Sequence, residues 1–170
     1  MLNATKTKAL VTGTRLQVAK FDQSSGITIS NTTVRYSSKI RVLGVIIDSE
    51  LSLDDHVTSV IRACNYHIRS LHYIRHLLNK DAANTIACSI VFSRLDYCNA
   101  VLCRVSDHNI NRLQFQRVQN NLARVVCATP YRASVTGFRH SLHWLAIRER
   151  VTQNLSYDLQ SAPPSETGLS

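Results

Sequence analysis

Asp54 and Asp55 are the one adjacent pair of carboxylates in the chain, and such a pair can hold divalent metal ions for phosphoryl transfer. That chemistry needs a third carboxylate close by and a tight turn to present the pair. Here the two residues head an amphipathic segment, where carboxylates accept free backbone N–H groups and oppose the positive end of the helix dipole. Their position predicts capping, not catalysis. His72 and His76 lie four apart, a spacing open to zinc, but no H-E-x-x-H glutamate intervenes and no third ligand stands in register. They read as a surface face beside Arg69. His140 and His143, either side of Leu142, have no more support. The five cysteines (64, 88, 98, 103 and 127) form no C-x-x-C pair. Each sits in or beside an apolar run, where thiols behave as small hydrophobes. No G-x-x-x-x-G-K-[ST], G-x-G-x-x-G or G-x-S-x-G occurs, and five glycines could hardly build a phosphate loop. From the residues alone, the chain offers no catalytic or metal site.

The elements that carry these residues change character along the chain. In the first fifty residues Ala9–Thr12, Ile27–Ile29, Thr33–Tyr36 and Ile40–Ile47 are β-branched or alternating, with Gly13, Ser24-Ser25-Gly26 and Asn31 as punctuation. So few short strands make a poor independent sheet. After Asp48 the period shifts from two to 3.6. Val57, Val60, Ile61, Cys64, Ile68, Leu71 and Leu78 predict one apolar stripe of a long helix, with Arg62, Asn65, Arg69, His72 and His76 on the other side. A second helix is expected from about Ala82 to Val101, capped by Asp81 and apolar nearly all round. A third runs from near Asp107 to Cys127, with Ile110, Val118, Leu122, Val125 and Val126 inward and Arg117 and Arg124 on one outward line. A fourth, short one is expected around Ile147, Val151, Leu155 and Leu159, before Ala162-Pro163-Pro164. The fold class expected is therefore α+β: short N-terminal strands over 1–50, a bundle of about four helices over 51–160, and a disordered tail over 161–170.

The chain has 170 residues, 44% of them apolar, which is enough to bury a core and excludes wholesale disorder. Twenty Lys and Arg oppose 11 Asp and Glu, for a net charge of +9, and all eight basic residues beyond position 100 are Arg. Arg donates two parallel hydrogen bonds to an anion, so this balance favours a polyanionic partner, most often nucleic acid. The alternative is a solvated surface whose charge serves solubility alone. No apolar run approaches the ~18 residues of a membrane span, and Leu2-Asn3-Ala4 followed by Lys6 and Lys8 is no secretory signal. With its irregular cysteines, the sequence predicts a reduced, intracellular protein that is not secreted, nucleus or cytoplasm unresolved, with no membrane partner and no small-molecule substrate.

Five blocks carry a resemblance. Ser93-Arg94-Leu95-Asp96-Tyr97-Cys98-Asn99-Ala100-Val101-Leu102 resembles a signature found behind the polymerase palm of LINE-type, non-LTR retrotransposon reverse transcriptases. Asn111-Arg112-Leu113-Gln114, through Arg117-Val118-Gln119-Asn120 to Ala123-Arg124-Val125-Val126, looks like that family's "RLQ-x-x-QN-x-x-AR" stretch. Ser141-Leu142-His143-Trp144-Leu145 with Ile147, Arg148, Arg150 and Val151 is similar to its "SLHWLPV-x-x-RI". Leu2–Lys8 looks like the "LN-x-x-KT" stretch closing the palm, and Leu43–Asp48 with Leu51-Ser52 resembles the segment that follows. The five occur in family order over nearly the whole chain. Two departures stand out: Val42 replaces an aromatic before Leu43-Gly44, and Ala146 replaces the Pro after Trp144-Leu145.

The resemblance implies the C-terminal part of an RNA-directed DNA polymerase: the end of the palm, the thumb and the following helices. The metal-binding Asp residues of these enzymes precede the block that begins at Leu2, so a chain without them is expected to lack catalysis and to bind no cofactor, the parent enzymes using Mg²⁺. Lys6 matches the lysine associated with the incoming nucleotide. Arg62, Arg69, Arg112, Arg117 and Arg124 become expected contacts to the backbone of RNA or an RNA–DNA hybrid, made without reading sequence. Two other readings remain open: a host-retained RNA- or DNA-binding module, and an inactive helical interaction protein or pseudogene product.

Overall fold

The computed structural model describes residues 6–22, 25–29, 32–102, 109–130, 134–147 and 149–150. It is α+β, short antiparallel strands preceding helices, and divides into two compact units, Met1–Ser59 and Val60–Ser170.

The first unit opens with an unexpected helix, α1 (Arg15–Lys20). Thr14 caps it, accepting from the Gln17 N–H, while the Gln17 side chain accepts from the Thr14 N–H, so the T-x-x-Q spacing is its signal. Two separate hairpins follow. β1 (Gly26–Ile29) pairs with β2 (Thr32–Arg35), and β3 (Lys39–Val42) pairs with β4 (Val45–Asp48). The expected strand at Ala9–Thr12 is reduced to one bridge, Ala9 to Tyr36, because the chain leaves at once for Ser49, whose carbonyl accepts from the Gly13 N–H at 3.0 Å. The expected single strand Ile40–Ile47 is a hairpin: Leu43 (φ 49°) and Gly44 (φ 86°) both take positive φ, as a type I′ turn requires. Leu43 adopts that conformation at a cost of about 1 kcal/mol, so alternation alone hid the turn.

α2 (Asp54–Ile74) begins where Asp54 and Asp55 place it, yet other residues satisfy the backbone ahead of it. The Asp48 carboxylate accepts from the N–H groups of Glu50, Ser52 and Leu53 at 2.9–3.0 Å, and Ser52 Oγ accepts from the Asp54 N–H at 3.3 Å. Asp55 instead forms an ion pair with Lys39. Ser52 thus supplies a side-chain acceptor to the first N–H of α2 and Asp48 holds the loop ahead of it, while Asp54 and Asp55 stand in the first turn, at the positive end of the dipole as their position predicts.

In the second unit α2 ends in a single 3₁₀ turn, Arg75–Leu77. α3 (Lys80–Ala87) follows, capped by Asn79 and not by Asp81: Asn79 Oδ1 accepts from the Ala82 N–H at 2.8 Å. The expected continuous helix is interrupted by a π-helical segment, Cys88–Phe92, before α4 (Ser93–Leu102). The buried positions explain it. Ala83, Ala87, Val91 and Leu95 recur every four residues, a period an α-helix cannot hold on one face, and the wider turn brings them back into line. Hydroxyls help to loosen the ladder, with Thr85, Ser89 and Ser93 each donating to the carbonyl four residues back. α5 (Asn109–Val126) buries Phe115, Val118, Leu122 and Val126, and Val125 is half-buried. The side chain of Ile110 lies outside the described residues. α6 (Thr136–Ser141) is short and unexpected. It ends with His143 at φ 55° and the Trp144 N–H bonded to the Arg139 carbonyl at 2.9 Å. A further helical turn begins at Ile147, which is buried, while Val151, Leu155, Leu159 and the tail from 161 lie outside the described residues.

Candidate nucleic-acid interface

α2 buries Cys64, Ile68 and Leu71 on one side and turns Arg62, Tyr66, Arg69 and Tyr73 outward on the other. The outward four are spaced four, three and four residues apart, so they form one line along the helix. Tyr66 is 65% exposed and Tyr73 77%. From His56 to Lys80 the sequence holds no Asp or Glu, so no carboxylate on this stretch competes for the arginines.

Beside that line, the second half of α2 and the end of α5 enclose a groove of about 1100 Å³. Arg69, His72, Arg75, His76 and Arg124 line it, with Asn65, Asn121 and Thr129 among the remaining lining residues and no carboxylate among them. A lining that carries guanidiniums and no carboxylate suits phosphate oxygens, with Arg69 the exposed member.

Its two sides are tied together by Arg75. The guanidinium donates from Nε to the carbonyls of Val125 (3.1 Å) and Val126 (3.0 Å), and from Nη1 to that of Leu78 (2.6 Å). It thereby satisfies the Val126 carbonyl, shares that of Val125 with the Ala128 N–H, and sets a positive charge at the negative pole of α5. α5 closes in a Schellman arrangement: Ala128 stands at φ 50° and the Thr129 N–H bonds the Arg124 carbonyl at 3.0 Å. Nothing local in the sequence marks Arg75 for this role, since its acceptors on α5 lie 50 and 51 positions away.

The expected contacts separate. Arg69 and Arg124 are brought to the same groove, Arg69 exposed and Arg124 half-buried with Nη1 donating to Asn121 Oδ1 at 3.2 Å. Arg62 continues the outward line of α2. Arg117 is exposed on α5 but does not line the groove, so Arg117 and Arg124 do not present alike. Lys6 is an exposed residue of the first unit. The side chain of Arg112 lies outside the described residues.

The residues of the signature blocks, by contrast, hold one another. Arg150 Nη1 lies 2.7 and 2.8 Å from the two oxygens of Asp96, and its guanidinium stands 4.2 Å above the Phe92 ring. Phe92 meets Trp144 edge-on at 4.5 Å, and Trp144 Nε1 donates to Asn84 Oδ1 at 3.0 Å. Gln119, fully buried, donates to the Leu145 carbonyl at 2.7 Å, and Gln116 accepts from the Ile147 N–H at 3.2 Å. These side chains, buried or half-buried, brace the unit. Ala146 uses its N–H to bind Glu149 Oε2 at 2.8 Å, a bond Pro could not make there.

The donor set does not suit a two-metal centre. Among the described residues no group of three or more His, Cys, Asp or Glu could hold a metal ion, and Asp55 is engaged by Lys39. Burial pushes the Cys64 thiol up to about 11 and the Cys98 thiol up to about 12, so neither supplies a thiolate. No described helix is long and apolar enough to cross a membrane. No family model matches the chain, and neither a curated protein nor a solved structure is significantly similar to it.

Proposed function

We propose that this chain corresponds to the end of the palm, the thumb and the following helices of a non-LTR retrotransposon reverse transcriptase, and that it binds nucleic-acid backbone without catalysing polymerisation. Arg69 and Arg124 contact phosphates from the groove and Arg62 extends the contact along α2. The observation that carries the binding is the groove itself, whose lining brings Arg69 and Arg124 together with no Asp or Glu, Arg75 bracing it through backbone carbonyls. The family reading rests on the five sequence blocks and their order along the chain.

Contacts of this kind go to phosphate and release counterions, so affinity falls with salt and hardly varies with sequence. Fluorescence anisotropy with a short RNA–DNA hybrid at several salt concentrations tests this. A linear fall of log affinity against log salt, with a slope of about −2 to −5, is expected. Arg69→Ala should weaken binding to unrelated sequences alike and reduce the slope by about one. A folded chain that fails to bind at low salt would sink the proposal. Reproducible primer extension with Mg²⁺ or Mn²⁺ and four nucleotides would overturn the non-catalytic part.

A further inference from the structure

We infer that the outward line of α2 takes a single strand, with unpaired bases stacked on Tyr66 and Tyr73 and phosphates held by Arg62 and Arg69. This rests on the reading of the surface as nucleic-acid binding and names the form of nucleic acid it prefers. A duplex backbone calls for cations alone, because its bases are stacked inside and show no face to the protein. Two tyrosine rings, 65% and 77% exposed and alternating with two arginines, serve such a backbone poorly. They suit a strand whose bases are free, since every base has a face to lay on an aromatic ring and the stacking tolerates any sequence.

The spacing agrees. Arg62 to Arg69 and Tyr66 to Tyr73 are each seven residues, ~10.5 Å of helix rise, close to three steps of a stacked strand at ~3.4 Å each. The Tyr66 ring is also placed, meeting His67 edge-on with centroids 5.3 Å apart and planes at 77°. An already oriented ring loses less freedom when a base arrives. The line adjoins the groove through Arg69 and Tyr73, which belong to both, so a strand leaving the rings meets further cations.

The test uses the full chain with unstructured single-stranded RNA, the same sequence as DNA, and a blunt RNA–DNA hybrid of equal length at one salt concentration. Either single strand is expected to bind more tightly than the hybrid. Tyr66→Ala, outside the groove, should weaken single-strand binding several-fold while leaving the salt slope and the hybrid affinity unchanged, and adding Tyr73→Ala should bring the single-strand loss to roughly tenfold or more. Tyr66→Trp with Tyr73→Trp should restore single-strand affinity and show indole quenching on binding. Arg62→Ala with Arg69→Ala should weaken all ligands and lower the slope by about two. Both rings are exposed, so an unchanged melting temperature will show that the alanine variants are folded. Wild-type single-strand affinity in the tyrosine double variant would overturn the inference, while hybrid binding that still depends on Arg69 would leave the broader proposal standing. Loss of every ligand from the unmodified chain would remove both.

Discussion

Arg150 grips Asp96 through one nitrogen, Nη1, set almost equally between the two carboxylate oxygens, and the same guanidinium rests on the face of Phe92. The Asp96 side chain is 42% exposed, so the ion pair alone is worth little in water. Arg150→Ala should therefore destabilise more than Asp96→Ala, by about 1–2 kcal/mol against 1 or less, since it also removes the cation–π and stem contacts. Urea melts of the two single variants and the double should give a coupling below about 1 kcal/mol.

Arg75 and Arg69 line the same groove but should fail differently. Arg75→Leu leaves the Val126 and Leu78 carbonyls without its N–H groups and Val125 with the Ala128 N–H alone, and should cost about 2–3 kcal/mol of stability, read by chemical denaturation. Arg69→Ala, exposed, should leave stability within about 0.5 kcal/mol and reduce nucleic-acid affinity. Equal thermal behaviour of the two variants would refute the bracing role of Arg75.

Ala128 occupies the left-handed position that closes α5, where glycine is at ease. Ala128→Gly should raise stability by roughly 0.5–1 kcal/mol, the relief of strain exceeding the added freedom of the unfolded chain. A lower melting temperature in this variant would contradict the assigned geometry.

Acid should act on the first unit in two stages. His56 is 4% exposed, and burial first, then the charge of Arg41, hold its imidazole below the usual value. It stabilises the fold above the unfolded value of about 6.5, and that contribution declines as pH falls towards the folded value. Burial pushes the Asp48 carboxyl upward, but the bonds from Ser52, Leu53 and Glu50 outweigh it and hold the group lower than usual. Its contribution is complete above about pH 4 and is lost as pH falls through the folded value. Asp48→Asn should cost about 1 kcal/mol near pH 7 and flatten only the lower stage of a stability–pH curve, whereas His56→Gln should flatten the upper.

Cys64 and Cys98 are buried, and burial raises both thiols far above neutrality. In the native chain near pH 8 they should react with a thiol reagent only as fast as the second unit opens, and promptly once urea is added. Rapid native labelling located at Cys98 by mass spectrometry would show that its surroundings are open.

Much of this architecture was legible in the sequence wherever it depends on period. The 3.6-residue recurrence from Val57 to Leu71 announced α2 and the outward placing of Arg62 and Arg69. What stayed hidden is non-local or breaks a local rule. Leu43 in a left-handed turn looks like the middle of a strand, the π segment looks like more helix, and Thr136–Ser141 has no apolar rhythm to betray it. The groove was illegible for the same reason as Arg75: α2 and the end of α5 meet only after folding, and no spacing along the chain encodes the meeting.

The π segment also fixes a phase. At about 100° per residue, an unbroken α-helix would carry Leu95 about 120° past the side that Ala83 buries, and the wider segment takes most of that up. A single-codon deletion at Ser89 would reach the same phase by a regular α-helix, because Val91, Leu95 and Cys98 would then follow Ala87 at spacings of three, four and three residues. Asp96 would keep its side beside Arg150, whereas one residue inserted there would carry it and Leu95 away. Along these few residues the gene can lose a codon more safely than it can gain one.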